Sequence, residues 1–433
     1  MNAQTESREE RRKQRFSSKS SQTAAKYLRR LEELSGMPES MRPFLQVLRD
    51  IYVDGKDAPR KDGQKTIGTY CVMAPHELIY AAGAVPVKLC SGSYTAFSVG
   101  DDIAPRDACP LVKAVAGYKN VGATPLYDNC SLMVVPVTCD CKKKIAGYLE
   151  RNCNVLALHI PARKDDEDIN QYIEELRRFA SVLESVTGNE ITYDALSDAM
   201  RKTGYAQYEL SRFLALKKRT PYLVRGSHAL AMMNVASYMT ADEWGLRVRA
   251  VNRELESRVR DGNFVTRKQL PRILLTGSPV IFPNLKIPLL IEELGGIVAA
   301  DETCMGERGL SDPAIPVDNS FDGMLRALAN RALRPCSCPT FADNGQRIYR
   351  LRQMIRDNKI EGVIYHVLRG CLVYDFEYRQ IEEELGKLGI PVIRLESDYN
   401  EEDVEQLKIR IEAFIELIKL KNPPEKRRIE RKS

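Results

Sequence analysis

Apolar and polar positions along this chain fall into two stretches of alternating strand and helix patterns. Before the first, residues 1–60 carry apolar residues at three- and four-residue spacing, broken near Pro38, which predicts a helical arm. The polar segment 58–66, with Pro59 and Gly63, reads as a linker. Short, nearly continuous apolar runs then occur at 66–70, 85–89, 131–137 and 154–160. Runs of that kind are strands buried on both faces, as in a parallel sheet. Helical patterns at 74–84, 107–119 and 141–152 separate them, the first with Pro75 near its start and Gly83 near its end. Strand and helix alternating in this order imply parallel pairing.

Residues 163–262 lack strand signals and carry three charged helical patterns, at 165–188, 191–219 and 241–262. The α/β order then returns. Strands are predicted at 272–277, 297–301, 362–368 and 390–396, and helices at 284–296, 347–360, 380–389 and 404–420. The predicted fold is α/β: two Rossmann-like lobes with parallel four-stranded sheets, plus an N-terminal helical arm and a helical connecting segment. The corresponding boundaries are 1–60 for the arm, 61–162 for the first lobe, 163–262 for the connection, and 263–433 for the second lobe with its C-terminal helix and basic tail.

Composition narrows the function classes. No stretch approaches the roughly 18 unbroken apolar residues of a membrane helix. The first residues, MNAQTESREERRKQRF, mix both charge signs around no apolar segment, unlike a signal peptide, so a cytoplasmic protein without a membrane partner is expected. The net charge of +6 is mild and lies partly in 8–15 and 425–433. With no basic face interleaved with aromatics, no nucleic-acid partner is expected.

The eleven cysteines change the picture most. An odd count without a secretion signal argues against disulfides. Any one of these thiols alone reads as buried filler, but their placement together does not. Cys71, Cys90, Cys109, Cys139, Cys304 and Cys371 fall at or just beyond the ends of apolar runs. In open parallel sheets the carboxyl ends of strands border the ligand crevice. Cys336 and Cys338 flank Ser337 in a Pro-bounded loop. These thiols outnumber the four that one iron–sulfur cluster uses. Zinc competes as a reading, but paired C-x-x-C knuckles are missing and the thiols are scattered through both lobes. Cys109 and Cys139 stand at predicted helix starts, where exposed amides should lower a thiol's pKa. Cys130 and Cys153 read as structural thiols, and Cys90, Cys141 and Cys304 are open.

Other candidate chemistry is sparse. No phosphate loop or dinucleotide fingerprint is present. Among the four histidines, His159 and His366 fall inside strands and read as core residues. His76 and Glu77 follow Cys71 at a helix start and are candidate proton donors, with capping or solvent contact as the alternative. Arg369 precedes Cys371 and is a candidate for tuning the charge of a bound cluster. Lys142, Lys143 and Lys144 follow Cys139 and offer either a docking patch or an ordinary solvated helix start.

Four blocks carry a resemblance: GTYCVMAPHELIYAAGAVPVKL (68–89), VVPVTCDCKKK (134–144), EGVIYHVLRGC (361–371) and GIPVIRLESDYNEEDVEQLKIRIEAFIELI (389–418). Together, and in this order, they resemble the 2-hydroxyacyl-CoA dehydratase and benzoyl-CoA reductase family over roughly residues 60–420. The resemblance implies that Cys71, Cys139 and Cys371 hold an iron–sulfur cluster. Cys109 in PRDACPLVKA and the pair Cys336 and Cys338 further resemble the double-cubane branch of that family. This implies a ligand set of Cys71, Cys109, Cys139, Cys336, Cys338 and Cys371, with Cys141 and Cys90 as substitutes. TCDCKKK departs from the family's TCDGKKK, so Cys141 is either an accidental neighbour or an added ligand. The implied cofactor is a double-cubane [8Fe-9S] cluster, with a single [4Fe-4S] cluster as the alternative. The implied partners are an ATP-hydrolysing iron–sulfur activator protein, a small-molecule substrate and a second copy of the chain in a homodimer. The implied activity is low-potential reduction, against a 2-hydroxyacyl-CoA dehydratase subunit or a non-catalytic electron carrier or cluster store.

Overall fold

The computed structural model describes residues 3–335 and 338–422, with side chains from residue 8 onward. All eight predicted strands form. In the first half β1 (Thr66–Thr69), β2 (Val85–Lys88), β3 (Leu132–Val137) and β4 (Val155–His159) make a parallel sheet in the order β2-β1-β3-β4. In the second half β5 (Arg272–Gly277), β6 (Ile297–Glu302), β7 (Gly362–Leu368) and β8 (Val392–Ser397) repeat it as β6-β5-β7-β8. The two lobes are topological duplicates. Strands β5, β6 and β7 are buried along their whole length, which is why each reads as an unbroken apolar run.

The predicted helices form too, with instructive differences. The three helices between the lobes are Asp166–Thr187, Tyr193–Lys217 and Ala241–Asp261. Asp165 opens the first with a reciprocal capping box, and Gly188 closes it in the left-handed conformation. A fourth, Gly226–Asn234, is buried at every position, so it has no polar face and no 3.6-residue signature. The helix predicted at 380–389 starts earlier, at Leu372, because its first turns expose Leu372 and Phe376 to solvent and so blur the pattern. Histidine placement splits: His366 is buried against the Ser397 hydroxyl at 2.8 Å, whereas His159 at the end of β4 is exposed rather than part of the core. No helix among the described residues is long and apolar enough to cross a membrane.

The lobes are interlocked. Helix Phe321–Leu333 lies in the second half of the chain, yet Leu325, Leu328 and Leu333 pack with Ile67, Leu132 and Val134 of the first sheet. Each of those three leucines is fully buried and contributes about 2 kcal/mol by leaving water. The arm helix Ala3–Glu33 spans both lobes: Phe16 meets Tyr118 edge-on at 5.6 Å, and Arg30 pairs with Glu293 at 2.7 Å.

One buried ionic network ties together β5, β6 and β7 of the second lobe. Arg347 is fully buried and reaches Glu302 of β6 at 3.3 Å, Glu377 at 3.2 Å and the Thr276 hydroxyl of β5 at 3.0 Å. Thr276 in turn donates to Glu302 at 2.6 Å, and Tyr365 of β7 donates to Glu377 at 3.0 Å. Removing one member of such a network strands the others as uncompensated buried charges. Arg347→Met should therefore destabilise the chain by about 3–5 kcal/mol in denaturant unfolding. Arg352→Met, which breaks the exposed pair with Glu384, should cost less than about 1 kcal/mol.

Candidate metal centre

In sheets of this order the direction in which strands are added reverses between the first and third strands, and the crevice opens at their carboxyl ends. Cys71 follows β1 and Cys139 follows β3, so both stand at the crevice of the first lobe. Cys371 follows β7 in the corresponding place of the second. Cys139, Cys109 and Cys371 each occupy the cap position of the helix that follows, Asp140–Leu149, Pro110–Val121 and Leu372–Gly386 respectively. The two crevices face one another. One cavity of about 210 Å³ is lined by Cys71, Cys90, Cys109, Cys139, Cys141, Cys304, Cys338 and Cys371. Cys130 and Cys153 lie outside it, and Cys130 donates to the Leu126 carbonyl at 3.2 Å. Cys336 lies outside the described residues.

Glycine at two positions lets the lobes approach. Gly370 has φ +73°, and a Cβ there would sit 2.2 Å from the carbonyl oxygen of Asp107 in the other lobe. That contact sets Cys371 beside Cys109. A Cβ on Gly309 would come within 2.1 Å of the Cys304 carbonyl oxygen and 2.9 Å of Val72.

Three cations surround the thiols. Lys142 points into the cavity and donates to the Tyr70 carbonyl at 3.3 Å. This corrects its assignment to a surface patch, since only Lys143 and Lys144 of that run are exposed. Lys88, at the end of β2, is 3% exposed. Arg308 is also buried, held by Glu302 at 3.5 Å and by the Tyr374 hydroxyl. Burial pushes the Cys71 thiol up, but Lys142, the Met73 amide, Lys88 and Arg308 outweigh it and hold Cys71 below the ordinary thiol range. The hydrogen bond from Cys109 brings Cys371 down to about 7, against burial and with help from the Tyr374 amide. Helix-start thiols do not all behave as their sequence positions predict. Cys109 is raised by its bond with Cys371 and by burial, despite the Leu111 and Val112 amides. At Cys139 burial raises the thiol more than Lys142 lowers it. Burial pushes Cys90 up to about 12, and its thiol donates to the Tyr70 carbonyl at 3.2 Å, a poor arrangement for a ligand.

The predicted proton donors fare unevenly. His76 lies in a neighbouring chamber, close to the Thr69 hydroxyl at 3.3 Å. Burial, with Lys88 and Arg331 nearby, holds it well below the usual histidine range, so it is neutral at pH 7. Glu77 is committed to a two-pronged ion pair with Arg331, one arm at 2.7 Å, and is not a free acid. Arg369 turns away from the cavity to Asp398 at 3.0 Å and Glu396 at 3.6 Å, mostly exposed, so it does not set the charge inside. Lys88, Arg308 and Tyr374 were missed as site residues. A lysine ending the apolar strand VPVK and an arginine one turn after Cys304 were the available signals.

Among the described residues, no three His, Cys, Asp or Glu side chains converge closely enough for a single metal ion. A multi-iron cluster binds its thiolates at separate irons and so takes a wider set of ligands than one ion does. Soft thiols, dry walls and three cations beside them fit an anionic iron–sulfur cluster better than a hard cation.

Residues 71–418 match the family model for the 2-hydroxyglutaryl-CoA dehydratase D-component. Among its relatives, the chain is 31% identical to the putative dehydratase subunit YjiM of Escherichia coli K12, over 83% of this chain and 93% of that one. It is 24% identical to the (R)-phenyllactyl-CoA dehydratase beta subunit of Clostridium sporogenes, over 82% and 92%. It is 21% identical to a benzoyl-CoA reductase subunit of Thauera aromatica, over 82% and 92%. With its duplicated lobes and the matched span beginning at Cys71, the chain belongs to the 2-hydroxyglutaryl-CoA dehydratase D-component family.

Proposed function

We propose that this protein is an iron–sulfur reductase that receives single low-potential electrons from an ATP-hydrolysing activator protein and passes them to a small substrate. The observation that carries this reading is the cavity between the lobes, with thiols from both halves and three cations on its wall. Cys71, Cys109, Cys139, Cys338 and Cys371 would hold the cluster, with Cys336 from the adjoining stretch as a sixth ligand and Cys141 in reserve. Thiols beyond the four of one cubane favour a double-cubane [8Fe-9S] cluster. A bound cluster supplies single electrons at low potential. The chain's own residues hold it by thiolate, balance its charge with Lys88, Lys142 and Arg308, and exclude water with Val112, Leu368 and Val373.

The second reading, a 2-hydroxyacyl-CoA dehydratase subunit with one [4Fe-4S] cluster, is favoured by the names of several relatives. No phosphate loop is present, so nucleotide hydrolysis belongs to a partner. Leu372 and Phe376, 76% and 92% exposed on the helix capped by Cys371, are the docking surface we assign to that activator. The chain's assembly as a homodimer in the cytoplasm belongs to the same reading.

Anaerobically purified protein should be brown and hold about eight irons per chain, where a single cubane gives about four. Serine at Cys71, Cys139 or Cys371 should lower iron most, and serine at Cys130 least. Gly370→Ala, which pushes the lobes apart at Cys371, should also lose iron. Iron loss at Cys130 or Cys153 with the first three unaffected contradicts the assignment. Phe376→Ala should slow activator-dependent reduction several-fold with iron content intact, whereas an unchanged rate removes the docking face.

A further inference from the structure

Beside the thiol cavity lies a second chamber of about 130 Å³. The two share Val72, Lys88, Cys304, Met305 and Arg308 as a common wall. Trp244, Met233, Tyr80 and Ala236 make the second chamber mostly apolar. Its size approaches the roughly 150 Å³ of a cavity that takes up benzene, and is far too small for a nucleotide-bearing carrier.

Nearly every charge facing this chamber is matched. Glu77 pairs with Arg331, Asp312 with Arg350 at 2.8 Å, and Arg308 with Glu302. Lys88 is the exception. The residue is 3% exposed, and its amine has no carboxylate or hydrogen-bond partner among the described residues, its neighbours of opposite charge being the Cys90, Cys71 and Cys304 thiols on the shared side of the wall. Two hydroxyls on the chamber wall share that condition: Thr203 Oγ1 is buried without a partner, and Ser237, itself 7% exposed, makes no hydrogen bond through its side chain among the described residues. Buried charges in proteins are paired, because an isolated one is too costly. Apolar walls with a few polar groups left open are the ordinary make-up of a small-molecule site.

We propose that the second chamber binds a small carboxylate-bearing molecule, its carboxylate on Lys88 with Ser237 and Thr203 beside it and its short hydrocarbon body against Trp244 and Met233. That this molecule is the substrate, presented to the thiol cavity across Val72 and Met305, rests on the proposed function. The binding site itself does not.

Trp244 is the only tryptophan of the chain and reports on this chamber. The anaerobic, iron-loaded full-length protein should be titrated with butyrate and, separately, with uncharged butyramide, following Trp244 fluorescence and calorimetric heat. Butyrate should bind and raise the melting temperature. Butyramide should bind at least about tenfold more weakly, the scale of one lost charged hydrogen bond. Lys88→Met removes a buried amine that has no carboxylate partner among the described residues and keeps the apolar stem, so it should fold, and its iron content and melting temperature are to be measured beside the parent's. It should weaken butyrate at least about tenfold and leave butyramide unchanged, and Ser237→Ala should weaken butyrate by a smaller factor. No butyrate binding up to about 10 mM, or equal binding by the parent and Lys88→Met, overturns the proposal. So does loss of iron from Lys88→Met with butyrate binding intact, which would make Lys88 a counter-charge to the cluster alone. Butyrate binding through Lys88 in a chain that holds no iron would instead sink the proposed function and leave this site standing.

Discussion

Charge balance in a dry cavity governs this structure. Lys88, Lys142 and Arg308 are drawn around the same thiols, and among the described residues only Arg308 of the three has a carboxylate of its own. Two further cations in low dielectric are tolerable only if negative charge lies among the thiols. The electrostatics follow that requirement: the thiols hold the Lys142 amine above the usual lysine range in spite of its burial, and the cations draw Cys71 below the ordinary thiol range. A protein built merely to bury inert cysteines would have no use for these amines. The arrangement is what a polyanionic cluster needs on both counts, thiolate ligands and counter-charge.

Interlocking of the lobes keeps that balance in place. The cavity exists only between the two sheets, so anything that lets them separate also floods and disperses the site. The arm helix touches both lobes, helix Phe321–Leu333 crosses to cover the first sheet, and Gly370 permits backbone contact next to Cys371. The Arg347 network ties β5, β6 and β7 together, and Glu302 and Tyr374 hold Arg308. Stability and site geometry thus depend on the same few contacts.

The strands were legible because parallel strands buried on both faces leave continuous apolar runs, as in SLMVVPV and GVIYHVL. The thiol cavity was legible for a related reason: Cys71, Cys139 and Cys371 directly follow those runs. What escaped depends on distant partners. Glu77 looked like a free acid until Arg331, from the far half of the chain, took it into an ion pair. Arg369 looked close to the site by its number, yet its side chain leaves toward Asp398. Lys142 looked like a surface residue because its two neighbours are. Helix Gly226–Asn234 left no periodic trace because every side of it is covered. Local pattern reports which face an element buries, but not what it meets there.

The most direct measurement is diffraction at the iron absorption edge from crystals of the anaerobically purified protein. The account predicts anomalous density inside the cavity bounded by Cys71, Cys139 and Cys371, within about 2.3 Å of their sulfurs, the length of a metal–thiolate bond. Iron found instead at Cys130 or Cys153, or an iron-loaded protein whose cavity shows no anomalous density, would contradict it.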